Sequence, residues 1–439
     1  MNRYFNRNID SILLAWSKEK GRKPLLLRGA RQIGKTSAVR ELGKHFQHYV
    51  EINFDDDDEV GNLFSQNIDP AELCSRLSLY YKTPIEAGKT LLFFDEIQSC
   101  TMAMKTLRYF YERHPEQHLI AAGSLLEFAL EEMPSFGVGR IHSVFMYPFS
   151  FYEFLNAMDE EVLAEACRNA SPKKPLLEPI HNQLINRLKI FMLIGGMPEA
   201  VVRYVKTKDL LHSHEVLEDL LVTFRDDFSK YRTKMPSLIL NEVFESVMHQ
   251  VEGKFIYERA AVETGNARVK QALDLLLKAG LVHTVTHTAA NGIPLGAEIN
   301  PKNRRIIPCD IGIFLHVLGI ERSEILFADN FNAINKGALA EIFVGLELLK
   351  NAASHAQRQL YSWHREKAQS SAQIDYLIQK GSSIIPIEVK SGTQGGMKSL
   401  QIFMKEKDIK RGVRTSLENF AVRESFDIYP LYAISNLYR

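Results

Sequence analysis

The sequence has 439 residues, and at about 150 residues per domain that is more chain than one hydrophobic core organises. A hydrophobic fraction of 45% with 24% charged residues, 25 glycines and 16 prolines is globular composition, which excludes collagen-like, mucin-like and wholly disordered classes. Lysine plus arginine at 54 against aspartate plus glutamate at 53 leaves a net charge of +1, so a uniformly basic nucleic-acid coat is excluded and any polyanion site must be local.

Cys74, Cys100, Cys167 and Cys309 form no C-x-x-C pair, which argues against a zinc ribbon or a disulfide framework and fits a reducing, cytoplasmic setting. The start, MNRYFNRNIDSILLAW, lacks an uninterrupted apolar stretch, and runs such as IFMLIGGM at 190–197 fall short of the roughly 18 residues a span requires. Neither export nor a membrane partner is expected.

In chain order, residues 24–150 alternate short apolar runs (PLLLRG, HYVEINF, TLLFFDE, HLIAAGS, HSVFMYPFS) with helical patterns. That alternation predicts an α/β unit over 1–150, a parallel sheet covered on both faces. From 151 to 232 strand signals vanish and helical periodicity dominates, interrupted by GGMP at 195–198, which predicts an α-helical lid. Over 233–320, helices such as NARVKQALDLLLKAG lead into HTVTHT and a hairpin-like PLGAEINPKNRRIIP, the pattern of a winged helix. Residues 321–439 open on NKGALAEIFVGLELLKN, continue into strands LYSWHR, QIDYLIQ and IIPIEVKS, and reach a basic helix near 398, which predicts a second α/β domain. Asp55 to Glu59 is read as a solvated loop, and His212 and His214 as a helix surface, because no cysteine or carboxylate cluster accompanies them.

Gly29-Ala30-Arg31-Gln32-Ile33-Gly34-Lys35-Thr36 fits G-x-x-x-x-G-K-[ST] between an apolar strand and a helix. The glycines let backbone N–H groups from Gly29 to Ser37 turn inward around phosphate oxygens, and the helix start adds positive dipole. Lys35 then reaches the β- and γ-phosphates and Thr36 offers a hydroxyl to magnesium, so ATP and Mg2+ are the expected cofactors. Downstream, LLFFDE ends an apolar strand in two acids, which is costly unless something cationic stands there. Asp95 is expected to hold magnesium through its water shell and Glu96 to polarise the attacking water, implying hydrolysis and not only storage. Ser124, at the end of HLIAAGS, would sense the γ-phosphate or orient water, with a helix cap as the plainer alternative. Arg140, in SFGVGR, is the expected cation for transition-state charge, from a neighbouring subunit or in cis, against an ordinary ion pair.

GARQIGKT, LLFFDEIQ, IAAGSLLEF, the VGR before YPFSFYEF, and GGMPEAV together resemble the bacterial and archaeal AAA+ type ATPases whose C-terminal part is the domain of unknown function 4143. The resemblance covers nearly the whole chain; its nucleotide motifs are generic to P-loop ATPases, while PFSFYEF and GGMPEA in this order are more specific. It implies an AAA+ core with helical lid, Lys35, Thr36, Asp95 and Glu96 as nucleotide residues, Ser124 in the sensor position and Arg140 as the arginine candidate. It also implies a winged-helix segment and a restriction-endonuclease-like terminal domain.

The terminal domain carries its own pattern. Asp375 precedes Glu388-Val389-Lys390 by thirteen residues, and the i, i+2 spacing puts Glu388 and Lys390 on one face of a strand. Two carboxylates holding a metal and a lysine orienting water is the D-x(n)-E-x-K arrangement of metal-dependent phosphodiester cleavage. Glu341 shares a helix face with Gly337, Ala338 and Gly345, so another element is expected to pack close around it as a further metal ligand. Ile374 stands where the motif name has proline, and Gln373 where many relatives carry an acid. The alternative is a retained fold that binds without cutting.

Three basic clusters point to nucleic acid, DNA first: Arg268 with Lys270, then Lys302, Arg304 and Arg305, and finally Lys398, Lys405, Lys407, Lys410, Arg411 and Arg414. The expectation is a homo-oligomeric ATPase that remodels or processes nucleic acid, with a candidate nuclease site. Its rival is a nucleotide-dependent switch or scaffold whose C-terminal domains recognise a protein.

Overall fold

The computed structural model describes residues 3–57, 59–65, 67–124, 126–131, 139–231, 235–261, 263–320, 337–352, 359–365, 372–392 and 395–439. The chain divides into two compact units, one running to Tyr147 with the short Lys278–Gly280 segment, the other holding most of the chain from Pro148 onward.

The first unit is built on β1 (Leu25–Arg28), β2 (His48–Asn53), β3 (Thr90–Asp95), β4 (His118–Ala122) and β5 (His142–Phe145) in the order β2-β3-β4-β1-β5. Every pairing is parallel, and the five strands are those the apolar runs predict. β3 and β4 are buried at every position, which is why their text is apolar without alternation. Because β1, β4 and β3 are neighbours, the loops leaving their C-terminal ends converge. Phe54, Phe64 and Phe94 lock the β3 side through edge-on ring contacts with centroids 5.4 to 5.7 Å apart.

The second unit begins with helices Phe151–Ala157, Glu161–Asn169, Glu178–Ile194, Pro198–Thr207 and Leu210–Asp227. Pro179 and Pro198 stand at helix starts, where a missing N–H costs nothing. The GGMP break has a packing cause. Gly195 ends its helix at φ 71°, and a Cβ on Gly196 would lie 2.3 Å from the Phe149 carbonyl oxygen. Phe149 N–H donates to Gly196 O at 2.7 Å, so PFSF and GGMP are joined backbone to backbone. Gly196 N–H donates to Asp310 Oδ2 at 2.6 Å, and Asp310 Oδ1 caps helix Ile311–Val317.

An eight-stranded mixed sheet completes the unit: β6 (Val282–Thr288), β7 (Ile299–Pro308), β8 (Leu360–His364), β9 (Gln373–Lys380), β10 (Ser383–Val389), β11 (Gly412–Ser416), β12 (Ala421–Val422) and β13 (Phe426–Pro430), in the order β12-β13-β11-β10-β9-β8-β6-β7. Helix Ala338–Lys350 precedes the antiparallel run β8-β9-β10, and helix Lys398–Glu406 crosses over to β11, parallel to β10. This helix, three strands, helix, strand order is the element order expected from the sequence, and its strands share one sheet with β6 and β7.

The four expected segments, 1–150, 151–232, 233–320 and 321–439, are thus organised into two units. The hairpin expected as a wing is the edge of the large sheet, since β6 pairs in parallel with β8 from Val285↔Leu360 onward. An exposed ladder edge is a liability, and β8 satisfies it. The helices expected as a lid share polar contacts with the chain end: Tyr152 Oη donates to Asn436 Oδ1 at 2.7 Å, and His181 Nδ1 lies 2.7 Å from Tyr432 Oη. Periodicity reveals an apolar face but not what covers it. Among the described residues no helix is long and apolar enough to cross a membrane.

Candidate active site

The phosphate loop leaves β1 through Gly29 at φ 141°, where a Cβ would stand 2.3 Å from Met146 O, so only glycine fits. Gln32 at φ 61° and Gly34 at φ 91° complete the turn into helix Lys35–Gly43. Ile33 anchors the loop at zero exposure, while Gln32 and Ser37 face solvent. Lys35 is buried, and its Nζ turns back to donate to Gly29 O at 3.0 Å and Ala30 O at 2.7 Å. Burial pushes Lys35 down to about 8 against the opposing pull of Glu96 and Asp95. Thr36 Oγ1 donates to Asp95 Oδ2 at 2.7 Å, tying the helix start to the end of β3. Burial raises the Asp95 carboxyl, and the Thr36 hydrogen bond opposes that rise. A hydroxyl and a carboxylate side by side at a helix N-terminus are hard oxygen donors, and this pair fits magnesium.

Glu96 takes the left-handed conformation at φ 47°, and its Oε2 accepts from Ser124 Oγ at 3.2 Å and Ser124 N–H at 3.4 Å. The structure therefore brings Ser124 to Glu96. It adds a residue that the motif reading passed over: Gln98 donates to the same Oε2 at 2.6 Å, and its own Oε1 is buried without a partner among the described residues. The signal was the Q of DEIQ, two positions beyond the acid. Arg140, 47% exposed, forms an ion pair with Glu112 of helix Thr101–Arg113. Val138 of the VGR motif lies outside the described residues.

The nuclease-like residues also come together. Lys390 Nζ donates to Glu388 Oε1 at 2.7 Å, and Asp375 Oδ2 accepts the Val389 N–H at 2.7 Å. Glu341 stands in the first turn of helix Ala338–Lys350. There the close packing expected around its small neighbours is realised: a Cβ on Gly345 would stand 2.5 Å from Tyr376 Oη, which donates to Glu341 O at 2.7 Å.

Two arginines expected on phosphate-binding surfaces are instead buried. Arg305 of β7 is ion-paired with Glu341, donates to the Asp375 carbonyl at 3.2 Å and lies 5.1 Å from the Tyr376 ring centroid. Arg414 of β11 is the register partner of Glu388 and pairs with Glu418 at 3.2 Å. The cause is strand position: β7 is buried from Arg305 to Pro308, so the last arginine of NRRIIP turns inward. Arg304 is half-buried against Tyr257 Oη at 2.8 Å, whereas Arg268, Lys270, Lys302, Lys398, Lys405 and Lys410 are exposed. Arg411 pairs with Asp427 at 2.6 Å and Lys407 donates to Asn291 at 2.6 Å. His214, read as surface, stands on helix Leu210–Asp227 with its Nδ1 3.2 Å from His316 Nδ1.

Burial first, and the Asp375 charge second, push Glu388 up to about 7 and raise Glu341; burial also raises Asp375. Arg305 is held above its ordinary value: burial alone would lower it, but Tyr376, Glu341 and Asp375 outweigh that loss. Glu388 Oε2 is buried with no partner among the described residues. Among those residues no group of three or more His, Cys, Asp or Glu side chains is placed to hold a metal ion. Glu341, expected as a metal ligand, holds a guanidinium instead. As arranged, Glu341, Asp375 and Glu388 do not fit a divalent cation.

The parallel sheet, the phosphate loop and the paired acids define a P-loop ATPase of the AAA type. A family model described as an AAA domain matches residues 21–155, and domains of unknown function 8612 and 4143 match 185–324 and 336–434. The chain belongs with the AAA-type P-loop ATPases that carry a C-terminal domain of unknown function 4143. No curated protein matches its sequence. Among solved structures it is similar to the Walker-type ATPase of Pyrococcus abyssi, at 17% identity over 72% of this chain and 96% of that one, with a TM-score of 0.44. The Aeropyrum pernix ORC1 protein in complex with DNA matches at 13% identity over 73% of this chain and 94% of that one, with a TM-score of 0.29. The S. cerevisiae Hsp104-ADP complex matches at 14% identity over 64% and 39%, also with a TM-score of 0.29.

Proposed function

We propose that this AAA-type ATPase hydrolyses ATP at the site formed by Lys35, Thr36, Asp95 and Glu96, and that turnover drives the binding and remodelling of nucleic acid. The observation that carries the hydrolytic half is the Glu96 carboxylate, held by Ser124 and Gln98 beside the Thr36–Asp95 pair. In this reading the backbone cradle and Lys35 bind the phosphates, and Glu96 takes the proton of the attacking water while Ser124 orients it. Thr36 and Asp95 would hold Mg2+, which when bound neutralises charge on the phosphates.

The nucleic-acid half is supported by Arg268, Lys270, Lys302, Lys398, Lys405 and Lys410, which are exposed. Turnover assayed with and without duplex, single-stranded and branched DNA tests it. Stimulation by at least one DNA is expected, and rates unchanged by all of them would remove nucleic acid from the proposal.

A second reading, a nucleotide-dependent switch whose C-terminal unit recognises a partner without cutting, is favoured by one observation: Arg305 is ion-paired at the nuclease-like site.

A further inference from the structure

The second unit carries three carboxylates, Glu341, Asp375 and Glu388, clustered at the end of a mixed sheet, and each is buried or nearly so. Buried carboxylates must be compensated. Lys390 answers Glu388 Oε1 at 2.7 Å, and the Val389 N–H answers Asp375 Oδ2 at 2.7 Å. The remaining demand, at Glu341 and along the Asp375 backbone, is met from another strand by Arg305. Its side chain is 6% exposed and is fixed on three sides: the Glu341 carboxylate, the Asp375 carbonyl at 3.2 Å and the Tyr376 ring at 5.1 Å. A guanidinium held by an ion pair, a carbonyl and an aromatic face is a planned fixture of the core and not a surface arginine that drifted inward.

We propose that Arg305 is a built-in counter-cation that occupies the place of a divalent metal between Glu341 and Asp375, so that the nuclease-like site is closed to metal while Arg305 is seated. The β6–β7 hairpin, expected as a free wing, then acts by inserting one arginine into the carboxylate cluster. Two further observations point the same way. The Glu341 carboxylate is taken by the Arg305 guanidinium, and among the described residues no group of three or more His, Cys, Asp or Glu side chains is placed to hold a metal ion. Glu388 Oε2 is buried with no partner among the described residues, an acceptor left for a cation once Arg305 is removed. Tyr376 couples the device to the helix, because its hydroxyl is bonded to Glu341 O at 2.7 Å while its face carries the guanidinium.

The test is Mn2+ binding by calorimetry to the nucleotide-free, full-length chain, wild type against Arg305→Gln, with ATP turnover measured in parallel. The site lies in a different unit from the phosphate loop, so turnover should be equal in the two proteins, and any Mn2+ contribution from the nucleotide site cancels in the comparison. Arg305→Gln is expected to bind Mn2+ at least tenfold more tightly than wild type and to gain more thermal stability in Mn2+ over EDTA than wild type gains. Should that variant fail to fold, Arg305→Lys keeps a positive charge but loses the planar guanidinium hold on Glu341 and the Asp375 carbonyl, and it is likewise expected to bind Mn2+ more tightly than wild type. Equal affinity in wild type and a folded variant, whether both tight or both absent, would overturn the proposal. Loss of ATP turnover with Mn2+ binding unchanged would overturn it as well, because the arginine would then serve the fold and not the cation site.

Discussion

Glu96 is the residue on which the ATPase chemistry turns, and its surroundings set a sharp expectation. It follows a fully buried strand directly and its carboxylate is held by Ser124 and Gln98, while Lys35 and Thr36 sit in the phosphate loop. Glu96→Gln keeps the shape and the acceptor oxygen but loses the base, so a folded variant should bind ATP like wild type with turnover down by about 10²-fold or more. Lys35→Ala should instead weaken binding itself. Nucleotide titration and phosphate release on the same preparations separate the two effects, and wild-type turnover in Glu96→Gln would remove the assignment.

Glu347 gives a residue-scale prediction about stability. It is fully buried, accepts the Phe151 N–H at 3.1 Å and an Asn351 N–H at 3.1 Å, and burial pushes its carboxyl from 4.5 up to about 7 despite nearby Lys350, with Glu153 adding to the rise. A folded-state value above the unfolded one means the native state binds the extra proton. Stability is therefore full below about 4.5 and falls as pH rises through about 7. Glu347→Gln removes that decline. The variant's stability relative to wild type should grow by roughly 3 kcal/mol between pH 4.5 and 8, at about 1.4 kcal/mol per unit. Urea melts at the two ends of the range decide it; a constant difference would mean Glu347 is ionised throughout.

Among the elements, the joint made by PFSF, GGMP and Asp310 is the most exacting. Asp310 has zero exposure, and its two oxygens accept from Gly196 at 2.6 Å, Gly312 at 2.9 Å and Ile313 at 3.2 Å. Three backbone donors are left unsatisfied when it is lost, so Asp310→Ala should cost about 3 kcal/mol, and Asp310→Asn less. A loss below about 1 kcal/mol in urea denaturation would show that water fills the gap. The most specific motifs of the sequence are thus explained by a packed backbone joint inside the second unit. They mark architecture, whereas the generic P-loop motif marks chemistry.

At the scale of the whole molecule, Arg140 bears on assembly. It is half-exposed and ion-paired with Glu112, a contact that a neighbouring subunit's nucleotide could replace. If it acts in trans, Arg140→Ala should bind nucleotide nearly normally and hydrolyse at least tenfold more slowly. Mixing it with Lys35→Ala protein should restore part of the rate, because each supplies the half the other lacks. Concentration-independent turnover by a strict monomer would exclude this.

How much of this was legible beforehand depends on the range of the interactions involved. The five parallel strands, the phosphate loop, Asp95 with Glu96, and the meeting of Ser124 with that acid follow from short-range rules: unbroken apolar runs, glycine spacing and the shared edge of adjacent parallel strands. The same local logic placed Asp375, Glu388 and Lys390 together, since strand alternation and one hairpin suffice. What only the tertiary structure decided is long-range. Arg305 reads as a wing residue from its basic neighbours, but β6 pairs with β8, some 75 residues later, and that pairing turns the hairpin into a sheet edge. Arg414 reads as one of a basic row until its register beside Glu388 is known. A charged residue's sequence neighbours do not tell whether it meets water or a buried carboxylate; the partner is set by which strands pair, and strand pairing is chosen by burial across the entire unit.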